Sequence, residues 1–251
     1  MLPDTSIINY KDCQFIIFNK PDIISNALRS GGGYESHLEE VSKALIGDSQ
    51  DGCVLDIGAN LGSYVIPVAK LFPALKFYSF EPQRIIYYQL CSNIIINAID
   101  NVYAINKGLS DERDTIKTVV PDYAKETNIG AFSLDMEVRN NNYECATVGA
   151  VEEMQIVVLD DYKFNNVKLI KIDVEGLELN VIKGSLKTLE ENNYPPIIFE
   201  AWTYKPWFQT RRKELYQYIE SLGYKIIIVG ENNIAQHTSK PMINFNIISN
   251  P

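Results

Sequence analysis

The sequence predicts an α/β fold whose mostly parallel sheet is buried on both faces, and three observations carry that expectation. Five short apolar runs, CVLDI at 53–57, KFYSF at 76–80, VYAIN at 102–106, KLIKI at 168–172 and PIIFE at 196–200, alternate with helical patterns, as in βαβ units. Ile86, Leu90 and Ile94 share one stripe of a helix opened by Pro82, and Leu215, Tyr218, Ile219 and Leu222 keep helical spacing until Gly223. YKIIIVG at 224–230 and MINFNII at 242–248 have only a loop between them, so they are expected to pair antiparallel.

Taken in order, the chain begins with a strand, CQFIIF at 13–18, and a helix near 34–46 that turns Leu38, Val41 and Leu45 inward. Residues 1–50 are therefore expected to cap a domain running over 51–251, the two forming a single structural domain. SGGGYE at 30–35 has no strand before it and no lysine after it, which makes it a flexible joint rather than a phosphate cradle. Pro67 lacks a donor in the second turn of the helix after the first parallel strand, and its place shifts that helix's start. Residues 111–160 form a polar, Asn-rich excursion expected to shape the acceptor side of a pocket.

Composition sets the outer bounds. A chain of 251 residues with 46% hydrophobic content can bury a large core. The formal charge of −9 disfavours nucleic acid as a partner. No apolar run reaches eighteen residues and the N-terminus lacks a signal pattern, so the expectation is a soluble, cytoplasmic protein without membrane association. Cys13, Cys53, Cys91 and Cys145 show no metal-ligand spacing and are read as reduced structural thiols. The sequence leaves the oligomeric state open.

The chemistry concentrates at two strand ends. VLDIGANLGSY, residues 54–64, ends the first parallel strand on Asp56 and turns through Gly58, Ala59, Asn60, Leu61 and Gly62. This is not the G-x-G-x-x-G that seats a pyrophosphate, and a carboxylate at the turn repels phosphate while attracting an ammonium or sulfonium. Glu81 ends the second strand, 25 residues on, where an acid can accept both hydroxyls of a ribose. An adenosine with a positive far end describes S-adenosylmethionine, although Asp56 as a turn aspartate and Glu81 as a surface acid are the plainer alternatives.

The second constellation is KLIKIDVEGLELNVIKG, residues 168–184. Strand alternation sends Lys171, Asp173 and Glu175 to one side, while Glu200 ends the neighbouring strand. These groups form either a structural charge network or a cluster around a reacting centre. Asp173 is the first choice as general base, Glu200 the second carboxylate and Lys171 the charge holding one of them ionised. Asp173 accepting from a cofactor amino group is equally open. His37 is a further candidate facing the pocket. Asp173, Glu175 and Glu200 have the donors for a divalent cation, against which Lys171 already supplies positive charge, so no metal is assigned. Trp202, Tyr204, Trp207 and Phe208 read either as a platform for a sugar ring or as core.

VLDIGANLG, SFEP, NKGLSD, VVLDD, KIDVEGLELNVIKG and IIFE occur in the order seen in the FkbM-like family of S-adenosylmethionine-dependent methyltransferases, which the chain resembles over about 34–202. The resemblance implies a Rossmann-like class I methyltransferase fold, with a seven-stranded, mostly parallel sheet and an antiparallel last strand. It also implies O-methyl transfer to a hydroxyl of a small molecule, most typically a sugar or glycan, with S-adenosylhomocysteine as product. Asp56, Gly58, Ala59, Asn60, Gly62, Ser63 and Tyr64 would then line the methionine end of the cofactor. Glu81 and Pro82 would hold the ribose, Asn106, Lys107 and Gly108 would lie near the adenine, and Glu35 would close over the cofactor. RNA ribose methylation, a nicotinamide-dependent oxidoreductase and a non-catalytic cofactor-binding scaffold are the competing readings.

Overall fold

The computed structural model describes residues 2–20, 22–125, 129–142 and 147–245. Two strands, β1 (Thr5–Tyr10) and β2 (Cys13–Phe18), pair as an antiparallel hairpin. Only the second is legible as an apolar run, since β1 turns Ile7 to solvent and has polar residues at its exposed positions. Helix α1 (Ile23–Arg29) follows, its N-terminus capped by Asp22, whose carboxylate accepts the Ser25 N–H at 3.0 Å. Helix α2 (His37–Ile46) then leads into the sheet.

The fully buried β3 (Cys53–Ile57) is succeeded by α3 (Val65–Leu71), β4 (Lys76–Phe80), α4 (Arg84–Ile96) and β5 (Val102–Ile105). Pro67 falls in the first turn of α3, where an N–H has no intrahelical partner, so the helix accommodates it by starting at Val65. β6 (Gly108–Leu109) precedes the excursion, which contributes β7 (Asp114–Pro121), α5 (Met136–Asn142) and β8 (Thr147–Val157), and the three strands form a sheet of their own in the order β6-β8-β7. The chain returns through β9 (Val167–Ile172), α6 (Glu178–Lys183), α7 (Leu186–Glu191), β10 (Ile197–Glu200) and α8 (Gln209–Ser221). It ends in the hairpin of β11 (Tyr224–Val229) and β12 (Asn232–His237).

The main sheet has seven strands in the order β11-β12-β10-β9-β3-β4-β5. β5, β4, β3, β9 and β10 run parallel, and β12 is antiparallel to both of its neighbours. The partner of β11 is thus β12 and not 242–248. Residues 242–245 carry no strand, and 246–248 lie outside the described residues. A two-residue turn at Gly230 and Glu231, with Gly230 at φ +67°, closes this hairpin. Asn232, Asn233 and Gln236 make β12 look like a loop in sequence, but each finds a partner. Asn233 accepts from the Tyr216 hydroxyl at 2.9 Å, and Gln236 exchanges bonds of 2.9 and 2.8 Å with the Ile243 backbone.

Strand alternation divides the core between the two faces. Val54, Phe77, Leu169 and Ile198 meet α1 to α4 on one side, while Leu55, Ile57, Ile170, Ile172 and Phe199 meet α6 to α8 on the other. The N-terminal hairpin joins the first layer through Phe15 and Ile17, both fully buried. Its free edge is held by amides spaced four apart on α4. Asn93 accepts the Ile16 N–H at 2.7 Å, Gln89 donates to the Ile16 carbonyl at 2.8 Å, and Asn97 bonds both backbone groups of Gln14. A helix face thereby does what a neighbouring strand would do for an unpaired edge. Cys13, Cys53 and Cys91 are free thiols, and Cys145 lies outside the described residues.

Candidate active site

A cleft opens at the carboxyl ends of β3, β4 and β9, the place where open α/β sheets take ligands. Its floor is the turn after β3, with Gly58, Ala59, Asn60, Ser63 and Tyr64 lining it. Gly58 at φ +86° leaves no room for a side chain, because a Cβ there would stand 1.7 Å from the Asp173 carbonyl oxygen. Asn60 takes φ +51° and its side chain accepts the Leu61 N–H at 2.8 Å.

One wall comes from the end of β4. The buried carboxylate of Glu81 lines the cleft and accepts the Asn60 N–H at 3.0 Å and the Gln83 N–H at 2.9 Å, one on each oxygen. Each oxygen keeps a lone pair free for a further donor. Burial nonetheless lifts this acid to about 7. Asn106 donates to the Glu81 and Pro82 carbonyls at 2.8 and 3.1 Å, so it braces this wall from behind, while Pro82, Lys107 and Gly108 reach the cleft. Gly62 also lies outside the lining; its φ of +94° and its closeness to Ile66 and Leu90 make it a packing glycine.

The opposite wall carries the charges. Lys171, Asp173 and Glu175 line the cleft, and the Lys171 ammonium bonds Asp173 at 2.9 Å while lying 5.5 Å from the Tyr64 ring centre. Burial opposes the charge of Lys171, but Asp173, Glu35 and Asp56 together hold it well above the usual lysine range. The side of the sheet expected for Lys171 and Asp173 agrees with this pairing. Glu175 stands past the end of β9 at φ +55°, where strand alternation no longer applies. Glu178, which sequence reasoning leaves as an ordinary helix residue, fixes that bend. Its buried carboxylate accepts the Val174 and Gly176 N–H groups at 3.2 and 3.1 Å, and burial lifts it to about 7. An acid two residues after a glycine at a strand end was the available signal.

Asp56 corrects the expectation of a carboxylate at the mouth. It is fully buried beneath the cleft, pairs in register with Lys171 across β3 and β9, and neither of its carboxylate oxygens has a hydrogen-bond partner. Burial raises it to about 7, with Lys171 as the opposing influence. The reason is positional: Asp56 is the fourth residue of a five-residue buried strand, so its side chain enters the helix-covered layer rather than the open end. His37, at the start of α2, is half-buried and outside the lining, and burial lowers it. Glu200 also stands outside the lining, although one of its oxygens lies within 4.8 Å of oxygens of Asp173 and Glu175.

The N-terminal cap forms the roof. Ile23, Ile24, Tyr34 and Glu35 reach the cleft, and Glu35, at φ +52°, accepts from the Asn232 side chain at 2.7 Å. Burial raises the Glu35 carboxyl. From the excursion come Gly130, Phe132 and Leu134, an apolar patch that the Asn-rich composition hides. Trp202 and Phe208 are buried and pack on each other and on Trp207, Tyr204 is exposed, and none of the four lines the cleft. Arg211 is held by Asp135 at 2.7 Å and Glu137 at 2.5 Å.

A parallel core flanked by helices, an antiparallel strand inserted before the last, and a cleft beyond Gly58 and Glu81 define the Rossmann-like methyltransferase fold. Residues 56–226 match the family described as the methyltransferase FkbM domain, and the chain belongs to that family. Among its relatives, the methyltransferase sdnD of Sordaria araneosa is 27% identical over 59% of this chain and 66% of its own. Methyltransferase 1 of Beauveria bassiana is 23% identical over 53% and 58%. The chain thus spans 58% to 66% of these relatives' length. A crystal structure of a methyltransferase FkbM from Methylobacillus flagellatus KT is similar at 17% identity and a TM-score of 0.49, covering 74% of this chain and 43% of that one. Among the described residues no helix is long and apolar enough to cross a membrane.

Proposed function

We propose that the chain is an S-adenosylmethionine-dependent O-methyltransferase acting on a hydroxyl of a small molecule, in particular of a sugar or glycan. The observation that carries this reading is the cleft itself, in which Gly58 brings bare backbone to the ligand and Glu81 offers two half-used oxygens at the position for a ribose. The donor set suits an adenosine with a cationic end. Lys107 and Gly108 with Phe132 and Leu134 give an edge and an apolar slot for the base, and the acids Asp173, Glu175 and Glu35 line the cleft as acceptors for the other end. When bound, S-adenosylmethionine supplies an activated methyl group.

The protein's own residues have three tasks in this scheme. The turn at 58–60 and Glu81 fix orientation, which is worth about 7 to 11 kcal/mol when reactants are aligned. Asp173, ion-paired with Lys171 at 2.9 Å, takes the acceptor's proton or the hydrogen bond of an amino group. Its place in the lining serves either task. Tyr34 and Glu35 on the cap and Phe132 from the excursion limit the entry of water. Asp56 acts through Lys171 rather than by contact, and His37 keeps no role.

Calorimetric titration with S-adenosylmethionine and with NAD, followed by methyl incorporation into glycans, nucleotide sugars and capped RNA, tests the proposal. Binding of S-adenosylmethionine alone, with turnover on a saccharide that Asp173→Ala lowers by about 10² or more, is the expected result. Tight NAD binding, turnover on RNA alone, or binding without any turnover would replace it with the oxidoreductase, RNA or scaffold reading.

A further inference from the structure

We propose that Asp173, Glu175 and Glu200 form a divalent-cation site beside the cleft, taking magnesium, calcium or manganese. One carboxylate oxygen of each lies within 4.8 Å of the others. Oxygen ligands of one calcium ion, at 2.3 to 2.6 Å from it, stand up to roughly 5 Å apart, so a single ion can bridge the three. All three donors are hard oxygens, the ligands these cations prefer.

A second observation points to a ligand here. Glu200 is only 9% exposed, it is aimed at the other two acids, and its Oε2 has no hydrogen-bond partner. A buried carboxylate oxygen left bare costs free energy unless something occupies the place opposite it. Lys171 interacts with Asp173, Glu35 and Asp56, and Lys205 with Glu175, Glu200 and Glu231, so two lysines are shared among six acids. Lys171 binds Asp173 through Oδ2 alone, while the Lys205 ammonium lies 3.5 Å over the Trp202 ring. Glu175 is held for the purpose by the bend that Glu178 fixes.

Asp173 and Glu175 also line the cleft, so an ion there would present open positions to an acceptor hydroxyl and ease loss of its proton. That use rests on the methyltransferase reading; ion binding does not. The test is a titration of ligand-free protein with Mn²⁺, Mg²⁺ and Ca²⁺ by calorimetry, together with Tb³⁺ emission excited through tryptophan. Trp202 lies close enough to sensitise it, since its ring is 3.5 Å from the Cβ position of Gly176. One saturable site is expected in the wild type. Changes even to outer partners of metal ligands cost about 10- to 100-fold in affinity, so Glu200→Gln and Glu175→Gln should each lose at least about tenfold. Melting temperature and S-adenosylmethionine affinity, measured on the same variants, separate a lost ligand from a lost fold. No saturable binding, or wild-type affinity in both variants, overturns the site. Loss of S-adenosylmethionine binding in the wild type would instead count against the proposed function and leave the ion titration standing.

Discussion

A methyl group at position 58 would stand 1.7 Å from the Asp173 carbonyl oxygen, at a φ of +86°. Gly58→Ala therefore combines a backbone clash with left-handed strain and is expected to cost at least about 3 kcal/mol in urea unfolding. Gly31→Ala, at φ +77° but with no atom within 4 Å of its Cβ, should cost about 1 to 2 kcal/mol. Equal losses at the two positions would show that strain alone sets the requirement at 58. Asp56 makes a different prediction. Between its ordinary value of 3.8 and the raised value of about 7, the folded chain keeps a proton that the unfolded chain has released. Stability attributable to Asp56 thus falls as pH rises through that window, by about 1.4 kcal/mol per unit of difference. Thermal melts of Asp56→Asn should lose less stability than the wild type between pH 5 and pH 8, and parallel curves would refute the assignment. The motif revealed Asp56 as a special acid, but its depth depends on the α2 to α4 layer above the strand and could not be read locally.

Elements were most legible where hydrophobic runs are short and bounded, as in β3, β4, β9 and β10. They were least legible where polar side chains are satisfied by distant partners. β12 is one case, through Tyr216 and the backbone of Ile243. The amide stripe on α4 is another, because Asn93 and Asn97 look like compositional bias until β2 is laid beside them. Asn93 is fully buried and also donates to the Leu61 carbonyl at 2.8 Å, so it ties the hairpin to the glycine turn. Asn93→Leu leaves the Ile16 N–H and the Leu61 carbonyl unpaired and should cost about 2 to 5 kcal/mol. Amide exchange should quicken first at Ile16 and its neighbours; unchanged protection there would mean the ladder does not hold β2. For the loop after β9, Glu178→Leu removes the acceptor for two N–H groups and should lower turnover more than it changes cofactor affinity. An affinity loss of equal size would place Glu178 with the cofactor wall instead.

At the scale of the whole molecule, the site draws on the cap, the sheet ends and the excursion together. Strand-end motifs located the floor and the charged wall, because Gly58, Glu81 and Asp173 each follow an apolar run by a fixed offset. The roof was only partly foreseen: Glu35 came from a family resemblance, whereas Ile23, Ile24 and Phe132 meet the cleft through tertiary contacts that no local spacing announces. Removal of residues 1–50 would strip Phe15, Ile17, Leu28 and Leu38 from the layer over Val54 and Phe77. The shortened chain is expected to be insoluble or to melt well below the full chain, and an equally stable core that still binds cofactor would contradict that account. The amide ladder also bears on how the chain is made. Its bonds join residues 73 to 83 positions apart, so the hairpin of β1 and β2 waits during synthesis for a helix made several seconds later. During that interval β2 offers a bare, adhesive margin, and growing chains of this protein should call on holding chaperones until α4 emerges.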